Sequence, residues 1–389
     1  MIRWSLIFAS FSSLAIHAFI DISRAPLFPE VIKDMGLTDS QAGLFFGATS
    51  LFMMLATLSS GKFMRVLGTT KALLLYMLVM IAGQFMFASA STYHYLVLGS
   101  MLLGLGFGGM GVCQNVLVTE ASPVEHQRKL FGGLHSMYAF AALMAPVLVT
   151  YFFTRGVYWR DFAYTVAFIP CVLWLLYLIM LGTQKSSKKS IPSATPLTER
   201  NKANTNLKIK IFLPMTLSFY VLAELILSIW LVMYLQKHFN YTTEQSGLAL
   251  SLFFGALLSG RLLMSVFHLP FANFKILKFS LMGGLVFVAL GLFVNPWLIC
   301  VSGVFMSPVF PTVMAYLAEN VGDNTRVIMP ICIGGMSLTI MFGHNLAGFL
   351  SDSYGIQWSI SLALIGLFLS VLALLKTETL FKMNQNIEN

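Results

Sequence analysis

An acidic side chain, Glu224, lies in the middle of a long apolar run from Tyr220 to Tyr234. A charged residue such as aspartate at the centre of a membrane helix costs roughly 2.5–3.5 kcal/mol on insertion scales, so such a group usually meets a partner, a proton or a substrate. Burial favours the neutral form of a carboxylic acid, which suits it to bind and release a proton. We therefore predict proton coupling for Glu224; the alternative is a neutral acid hydrogen-bonded to a neighbouring helix.

A second group of ionisable residues lies in the first apolar run. Asp21 and Arg24 are three residues apart, and His17 precedes Asp21 by four, so a helix would place them on one face. Arg24 offers a planar fork that fits a carboxylate or phosphate. We predict a proton-sensitive group of His17 and Asp21 with Arg24 as a substrate ligand; the alternative is a salt bridge that neutralises both charges.

Polar and aromatic residues in other apolar runs are candidate ligands for a polar solute. Amides bind hydroxyl groups in pairs, and aromatic rings stack on the apolar faces of sugars. Polar contacts between helices are the alternative explanation. The predicted substrate-binding set beside Arg24 is Gln114, Asn115, Tyr138, Trp230 and Asn345.

No motif points to a cofactor, a metal or a covalent reaction. The run from Gly104 to Gly109 has the form G-x-G-x-x-G, but it lies inside an apolar segment with no preceding strand. Gly104 and Gly108 instead favour close helix packing. We find no Walker motif and no nucleophile–base pair, so we predict no cofactor, no metal site and no enzymatic activity; a gradient would supply the energy.

The composition places these residues in a membrane. The chain has 389 residues, of which 57% are hydrophobic and 10% charged. Its net charge of +9 comes from bases in short loops, a pattern of membrane topology and not of nucleic-acid binding. Its four cysteines lie in apolar stretches without metal-ligand spacing.

Twelve segments are long and apolar enough to cross a bilayer. With the N-terminus inside, the cytoplasmic loops receive most of the Lys and Arg, which predicts cytoplasmic termini. The predicted spans are 5–31, 42–63, 72–91, 94–121, 127–153, 160–182, 210–238, 244–266, 276–294, 297–318, 326–351 and 357–376.

A polar stretch divides the spans into two sets of six. Residues 183–209 are rich in Ser, Lys, Pro, Thr and Asn, which indicates a solvated linker. The predicted domains are residues 1–182, this cytoplasmic linker, and residues 210–389. This all-α layout of twelve helices in two halves resembles the major facilitator superfamily, whose halves rock about a midplane site.

The loop after the second span resembles the gating motif of that family. Gly61 and Gly68 match its glycines, but Arg65 occupies the place of its acid. The resemblance implies that these three residues take part in gating. We predict the same role for Arg261 and for Arg128, which lies at the cytoplasmic end of the fifth span; the alternative for Arg128 is a loop charge.

The seventh span resembles the fucose/glucose-type sugar:proton symporters. The resemblance rests on the Tyr-Val-x-Ala-Glu run ending at Glu224, on Gly260-Arg261, and on Ser307-Pro308. One departure concerns the fourth span, where fucose-type members carry an acid and this chain has Gly111. The resemblance therefore implies that coupling runs through Glu224 or Asp21.

Part of the first span, the stretch from Asp21 to Pro29, is similar instead to organic-anion facilitators. We expect a monomeric, proton-coupled symporter of a sugar-like solute in a bacterial inner membrane. The alternatives are an organic-anion transporter, an exporter of drugs or siderophores, and a membrane sensor or scramblase.

Overall fold

The computed structural model describes residues 2–182, 209–266, 272–313 and 325–388, and these residues form helices and connecting turns. The predicted linker 183–209 lies outside the described residues except for Ile209. The helices are numbered here in chain order. They are α1 (Trp4–Met35), α2 (Asp39–Leu67), α3 (Thr69–Ala88), α4 (Tyr93–Ala121), α5 (Val124–Phe153), α6 (Trp159–Gly182), α7 (Ile209–Phe239), α8 (Thr243–Val266), α9 (Asn273–Phe293), α10 (Leu298–Met306), α11 (Thr325–Tyr354) and α12 (Ile356–Glu388).

Most of these helices have the length and composition of membrane spans. Helices α1 to α9 and α12 each contain an apolar window long enough to cross a bilayer. In lipid the backbone polar groups must be satisfied within the segment, and a helix satisfies them. The protein is an all-α, multi-pass integral membrane protein, as the sequence predicts.

The helices form two compact units, Met1–Thr195 and Pro196–Asn389. In the first unit, α1 packs against α5 and α6, α2 packs against α4, and α3 packs against α4 and α6. In the second, α7 packs against α11 and α12, α8 packs against α10, and α9 packs against α10 and α12. Each of these pairs in the second unit has its counterpart six helices earlier, so the two units share one packing scheme.

The predicted spans agree with the helices to within a few residues, except at spans ten and twelve. Helix α10 ends at Met306, a turn follows, and the chain is helical again over residues 309–313. The remainder of predicted span ten, residues 314–318, lies outside the described residues. Helix α12 continues past the predicted end at residue 376 because polar residues end the apolar run without ending a helix.

The interruption of α10 follows from a proline. Pro308 has no backbone N–H, so it offers no main-chain donor to the carbonyl of Val304 four residues earlier. The hydroxyl of Ser307 donates to that carbonyl at 2.9 Å and replaces the missing bond. A side chain therefore supports the backbone at this turn.

Helices α2 and α4 approach closely through two glycines of α4. A Cβ added at Gly104 would lie 3.0 Å from the backbone nitrogen of Met53, and one at Gly108 would lie 3.0 Å from the Cα of Met53. The sequence predicts this use of small residues. The contact brings α4 against the part of α2 that carries Thr49.

One arginine joins three helix ends in the first unit. Arg160, near the start of α6, donates to the carbonyl of Ala90 at 2.6 Å and to the carboxylate of Asp34 at 3.0 Å. Its guanidinium carbon lies 4.2 Å from the ring centre of Trp159, which also donates to Asp34 at 3.2 Å. The ends of α1 and α3 are thus held against the start of α6.

We expect Arg160→Ala to lower the free energy of unfolding by about 1–2 kcal/mol, since charge-assisted hydrogen bonds are removed and a carboxylate loses its partner. Thermal unfolding of the purified protein in detergent measures the change. Arg155→Ala is the matched control, because Arg155 is exposed in the turn after α5 and packs on Tyr151 at the end of that helix. Equal midpoints for the two variants would contradict the assignment.

Candidate functional site

The carboxylate of Glu224 is held by a tyrosine of the same helix. Both residues lie on α7, one turn apart, and the Tyr220 hydroxyl is 2.5 Å from Oε2 of Glu224. That hydroxyl is also 2.9 Å from the main-chain oxygen of Met306 at the end of α10. Tyr220 is fully buried, whereas the Glu224 side chain is 18% exposed. Glu224 therefore combines a fixed hydrogen-bond partner with access to its surroundings.

An arginine from α8 provides the counter-charge. Nη2 of Arg261 lies 3.6 Å from Oε1 of Glu224, which is an ion-pair distance longer than a normal hydrogen bond. The Arg261 side chain is 29% exposed. The sequence suggests a gating role for Arg261, but only the structure reveals this contact with the candidate proton carrier.

A glycine allows α8 to approach α10 at this point. A Cβ added at Gly260 would meet the Ser307 hydroxyl and would lie 2.8 Å from the carbonyl oxygen of Val304. Gly260 therefore sets the spacing at which the neighbouring Arg261 reaches Glu224. The three sequence features that resemble sugar symporters thus meet in one place. We call Tyr220, Glu224, Arg261 and Met306 the Glu224 cluster.

Two further candidate residues of the second unit lie along α7 and α11. Trp230 is fully buried, and its ring N–H donates to Nδ1 of His344 at 3.2 Å. Asn345 donates to the carbonyl of Met341 in its own helix at 2.8 Å. Trp230 thus joins α7 to α11 through its polar atom.

In the first unit, Arg24 is buried and surrounded by partners. Nη1 donates to the Thr49 hydroxyl at 3.0 Å, and Nη2 forms an ion pair with the Asp21 carboxylate. The contact between Asp21 and Arg24 confirms the prediction from their spacing. Three aromatic rings also lie 5.2–5.7 Å from the guanidinium carbon. These rings belong to Phe45, Phe46 and Phe107. A solute anion would have to displace Asp21 to pair with Arg24.

His17 and Gln114 extend this group along α1 and α4. The His17 ring stacks on Phe107 with centroids 4.5 Å apart. The amide of Gln114 donates to the Ser13 hydroxyl at 3.1 Å. Nδ1 of His17 and Oε1 of Gln114 are buried and have no hydrogen bond of ordinary geometry within the described part of the chain, and the two side chains interact with each other. These are atoms that a polar solute could bind.

The other two candidate ligands of the first unit are Asn115 and Tyr138. Asn115 follows Gln114 on α4 and donates to the carbonyl of Gly111 in its own helix at 2.8 Å. Tyr138 is half-buried on α5.

The residues resembling the gating motif lie around the junction of α2 and α3. Gly68 forms that junction with a φ of 82°, a conformation that glycine adopts without strain. Arg65 is exposed and donates to the carbonyl of Gly61 at 3.3 Å. The side chain of Arg128, the fourth predicted gating residue, lies outside the described residues.

An acid from another helix takes a place beside this junction. The Thr69 hydroxyl, at the first residue of α3, donates to Oε1 of Glu120 at 2.6 Å. Negative charge is stabilised at a helix N-terminus. Glu120 thus brings to α3 the negative charge that the motif lacks at Arg65. Nothing in the local sequence relates Glu120 to Thr69.

A metal centre does not emerge from these positions. Within the ranges given above, no three His, Cys, Asp or Glu side chains are placed to hold a metal ion. The polar groups described here suit a proton and a hydrogen-bonding solute.

Comparison with known protein families supports a transport function. The model of the Major Facilitator Superfamily matches residues 9–329 of the chain. The chain belongs to the major facilitator superfamily. Transport is the activity that this membership favours.

Two curated relatives match parts of the transporter. A region of 159 residues is 29% identical to the sugar transporter ERD6-like 15 of Arabidopsis thaliana, covering 40% of the chain and 31% of that protein. A region of 121 residues is 26% identical to the quinolone resistance protein NorA of Staphylococcus aureus, covering 31% of each. The chain thus spans about a third of the length of these relatives.

A solved structure is similar over nearly the whole chain. The outward conformation of FucP, the E. coli fucose:proton symporter, aligns with a TM-score of 0.66 and 17% identity. The alignment covers 97% of this chain and 99% of FucP. At this identity the similarity establishes the fold of the transporter.

We expect Gly260→Ala to destabilise the second unit by about 1–3 kcal/mol, because the added methyl group overpacks the contact with Val304 and Ser307. Thermal unfolding in detergent measures the loss. Gly132→Ala in α5 is the control, since a Cβ there meets no atom within 4 Å. If Gly260→Ala is as stable as Gly132→Ala, helices α8 and α10 do not pack closely at Gly260.

Proposed function

We propose that the transporter is a proton-coupled symporter that moves a small, sugar-like polar solute by alternating access. The observation that carries this proposal is the placement of Glu224, an acid in the middle of α7 with a tyrosine partner, a nearby arginine and partial exposure. An ionisable group inside a membrane span marks an ion or substrate pathway by default.

The proton step uses the Glu224 cluster. A proton from the side of higher concentration binds the carboxylate, and release on the other side restores its charge. Arg261 stabilises the ionised form, and its distance of 3.6 Å makes that stabilisation moderate. An acid held this way is suited to alternate between two protonation states. Asp21 and His17 of the first unit are the second candidates for this role.

The choice of a polar solute follows from the candidate ligands. The buried polar atoms of His17 and Gln114 suit a hydroxyl group, which both donates and accepts a hydrogen bond and could replace their contact with each other. One curated relative is named a sugar transporter, and FucP is titled a fucose:proton symporter. The proposed substrate-binding residues are Arg24, Gln114, Asn115, Tyr138, Trp230 and Asn345.

The proposal extends to the setting of the protein. We propose that the protein lies in a bacterial inner membrane with both termini on the cytoplasmic side. Residues 183–209 form a linker between halves 1–182 and 210–389, and the protein works as a monomer. The distribution of Lys and Arg supports this orientation.

Efflux is the second candidate function. The match to NorA, a quinolone resistance protein, favours it. Cells that produce the transporter would then accumulate less fluoroquinolone than control cells. Under the symport proposal, accumulation of the drug is unchanged.

The coupling prediction concerns Glu224→Gln. We expect this variant to lose proton-driven accumulation at least tenfold, because an amide of similar shape does not bind and release a proton, while solute exchange continues in part. A thermal-shift screen of sugars, carboxylates and phosphates at two pH values first identifies the solute. Uptake and counterflow in proteoliposomes then measure the two activities.

Glu244→Gln is the matched control for that experiment, since Glu244 is an exposed acid in the first turn of α8. It should accumulate the solute as the wild type does. Full accumulation by Glu224→Gln would refute the coupling role of Glu224.

The variant Arg24→Ala tests whether the solute is an organic anion held by Arg24 or an uncharged sugar. Arg24→Ala leaves the Asp21 carboxylate without its partner, so we expect a loss of about 1–3 kcal/mol in stability, moderated because the Asp21 side chain is 24% exposed. Asp21→Asn combined with Arg24→Ala should recover part of it. If the single variant keeps its stability and loses binding of carboxylates alone, the organic-anion hypothesis is favoured.

A further inference from the structure

The Tyr220 hydroxyl is placed between two acceptors but has one hydrogen to donate. Oε2 of Glu224 lies 2.5 Å from the phenolic oxygen, and the main-chain oxygen of Met306 lies 2.9 Å from it. Both contacts are satisfied together only if Glu224 brings a proton of its own. The structure therefore contains two alternative hydrogen-bond arrangements.

In the first arrangement Glu224 is ionised. The phenol donates its hydrogen to the carboxylate, since a charged acceptor forms the stronger bond. The carbonyl of Met306 then loses Tyr220 as a donor. Helix α7 and the end of α10 are no longer joined by this hydrogen bond.

In the second arrangement Glu224 is protonated. A proton from water binds Oε2, the carboxyl group donates to the phenolic oxygen, and the phenol donates to the Met306 carbonyl. Three polar groups of two helices then form one chain of hydrogen bonds. When the proton returns to water, the first arrangement is restored.

The carbonyl concerned belongs to the least supported part of α10. Met306 is the last residue of this helix, and the turn at Ser307 and Pro308 follows. The proline removes one main-chain donor, and the Ser307 side chain already replaces it. Gain or loss of the bond from Tyr220 therefore acts where the backbone depends on side chains.

Arg261 of α8 is the charged group that faces Glu224 within the described residues. Its ion pair favours the ionised form, so protonation must overcome that attraction. Arg261 also interacts with the Tyr220 hydroxyl. Two further titratable groups of neighbouring helices have hydrogen bonds elsewhere. His344 of α11 accepts from Trp230, and the Cys300 thiol of α10 contacts the carbonyl of Ala249. Lys376 and Glu378 lie in the C-terminal half of α12.

We propose that Tyr220 is a positioning residue that transmits the protonation state of Glu224 to α10. Protonation joins α7 to the end of α10, and deprotonation releases it. This inference rests on the proposed function in one respect, namely that Glu224 binds and releases a proton during transport.

Hydrogen exchange of the full-length protein in nanodiscs tests the inference without a solute. Protection of peptides covering residues 298–313 is measured at pH 4 and pH 8.5, which lie on either side of the ordinary titration range of carboxyl groups in proteins, after correction for the intrinsic effect of pH on exchange. In the wild type we expect protection to be about two- to tenfold higher at the lower pH, the range of one net hydrogen bond.

Three variants complete the experiment. Tyr220→Phe should show low protection at both pH values. Glu224→Gln should show high protection at both, because its amide donates permanently to the phenol. Tyr234→Phe, which removes a buried hydroxyl from the same helix, should keep the wild-type pH dependence.

The outcomes separate the inference from the proposed function. If the wild type shows no pH dependence, or if Tyr220→Phe keeps it, the inference is overturned even when Glu224→Gln abolishes coupled uptake. If the pH dependence requires both Tyr220 and Glu224 while Glu224→Gln still accumulates solute, the hydrogen-bond switch stands and the coupling role fails.

Discussion

The cost of a carboxylate inside an apolar helix is the constraint on which the second unit depends. Glu224 needs polar partners at a depth where water is scarce, and Tyr220 and Arg261 provide them. Arg261 approaches because Gly260 lets α8 lie against α10. The hydroxyl of Tyr220 reaches α10 as well. One acid thus determines how three helices of this unit meet.

The two units treat their charges differently although they share one packing scheme. In the first unit Arg24 is buried, and Asp21, Thr49 and three aromatic rings surround it. In the second unit the pair of Glu224 and Arg261 is longer and both side chains keep some exposure. The short pair of Arg24 and Asp21, in which the arginine is buried, favours a fixed arrangement, whereas the longer pair of Glu224 and Arg261 is held less firmly.

Interrupted helices are a recurring feature of transporters, because freed main-chain groups can bind ions or side chains. In this protein the interruption of α10 lies beside the candidate proton carrier, and not in a lipid-facing position remote from it. In the first unit, Glu120 brings negative charge to the start of α3. Both features place charge or hydrogen bonding at helix ends, where the backbone has unsatisfied groups.

Apolar length and residue spacing are properties of neighbouring residues, so the helices and the local contacts can be predicted from the sequence. It identified twelve spans, the contact of Asp21 with Arg24, and Glu224 as the acid to explain. The tertiary structure decided which distant residues meet. Tyr220 and Met306 are 86 residues apart, and Thr69 and Glu120 are 51 apart. Such pairings depend on how helices pack, and no local pattern encodes them.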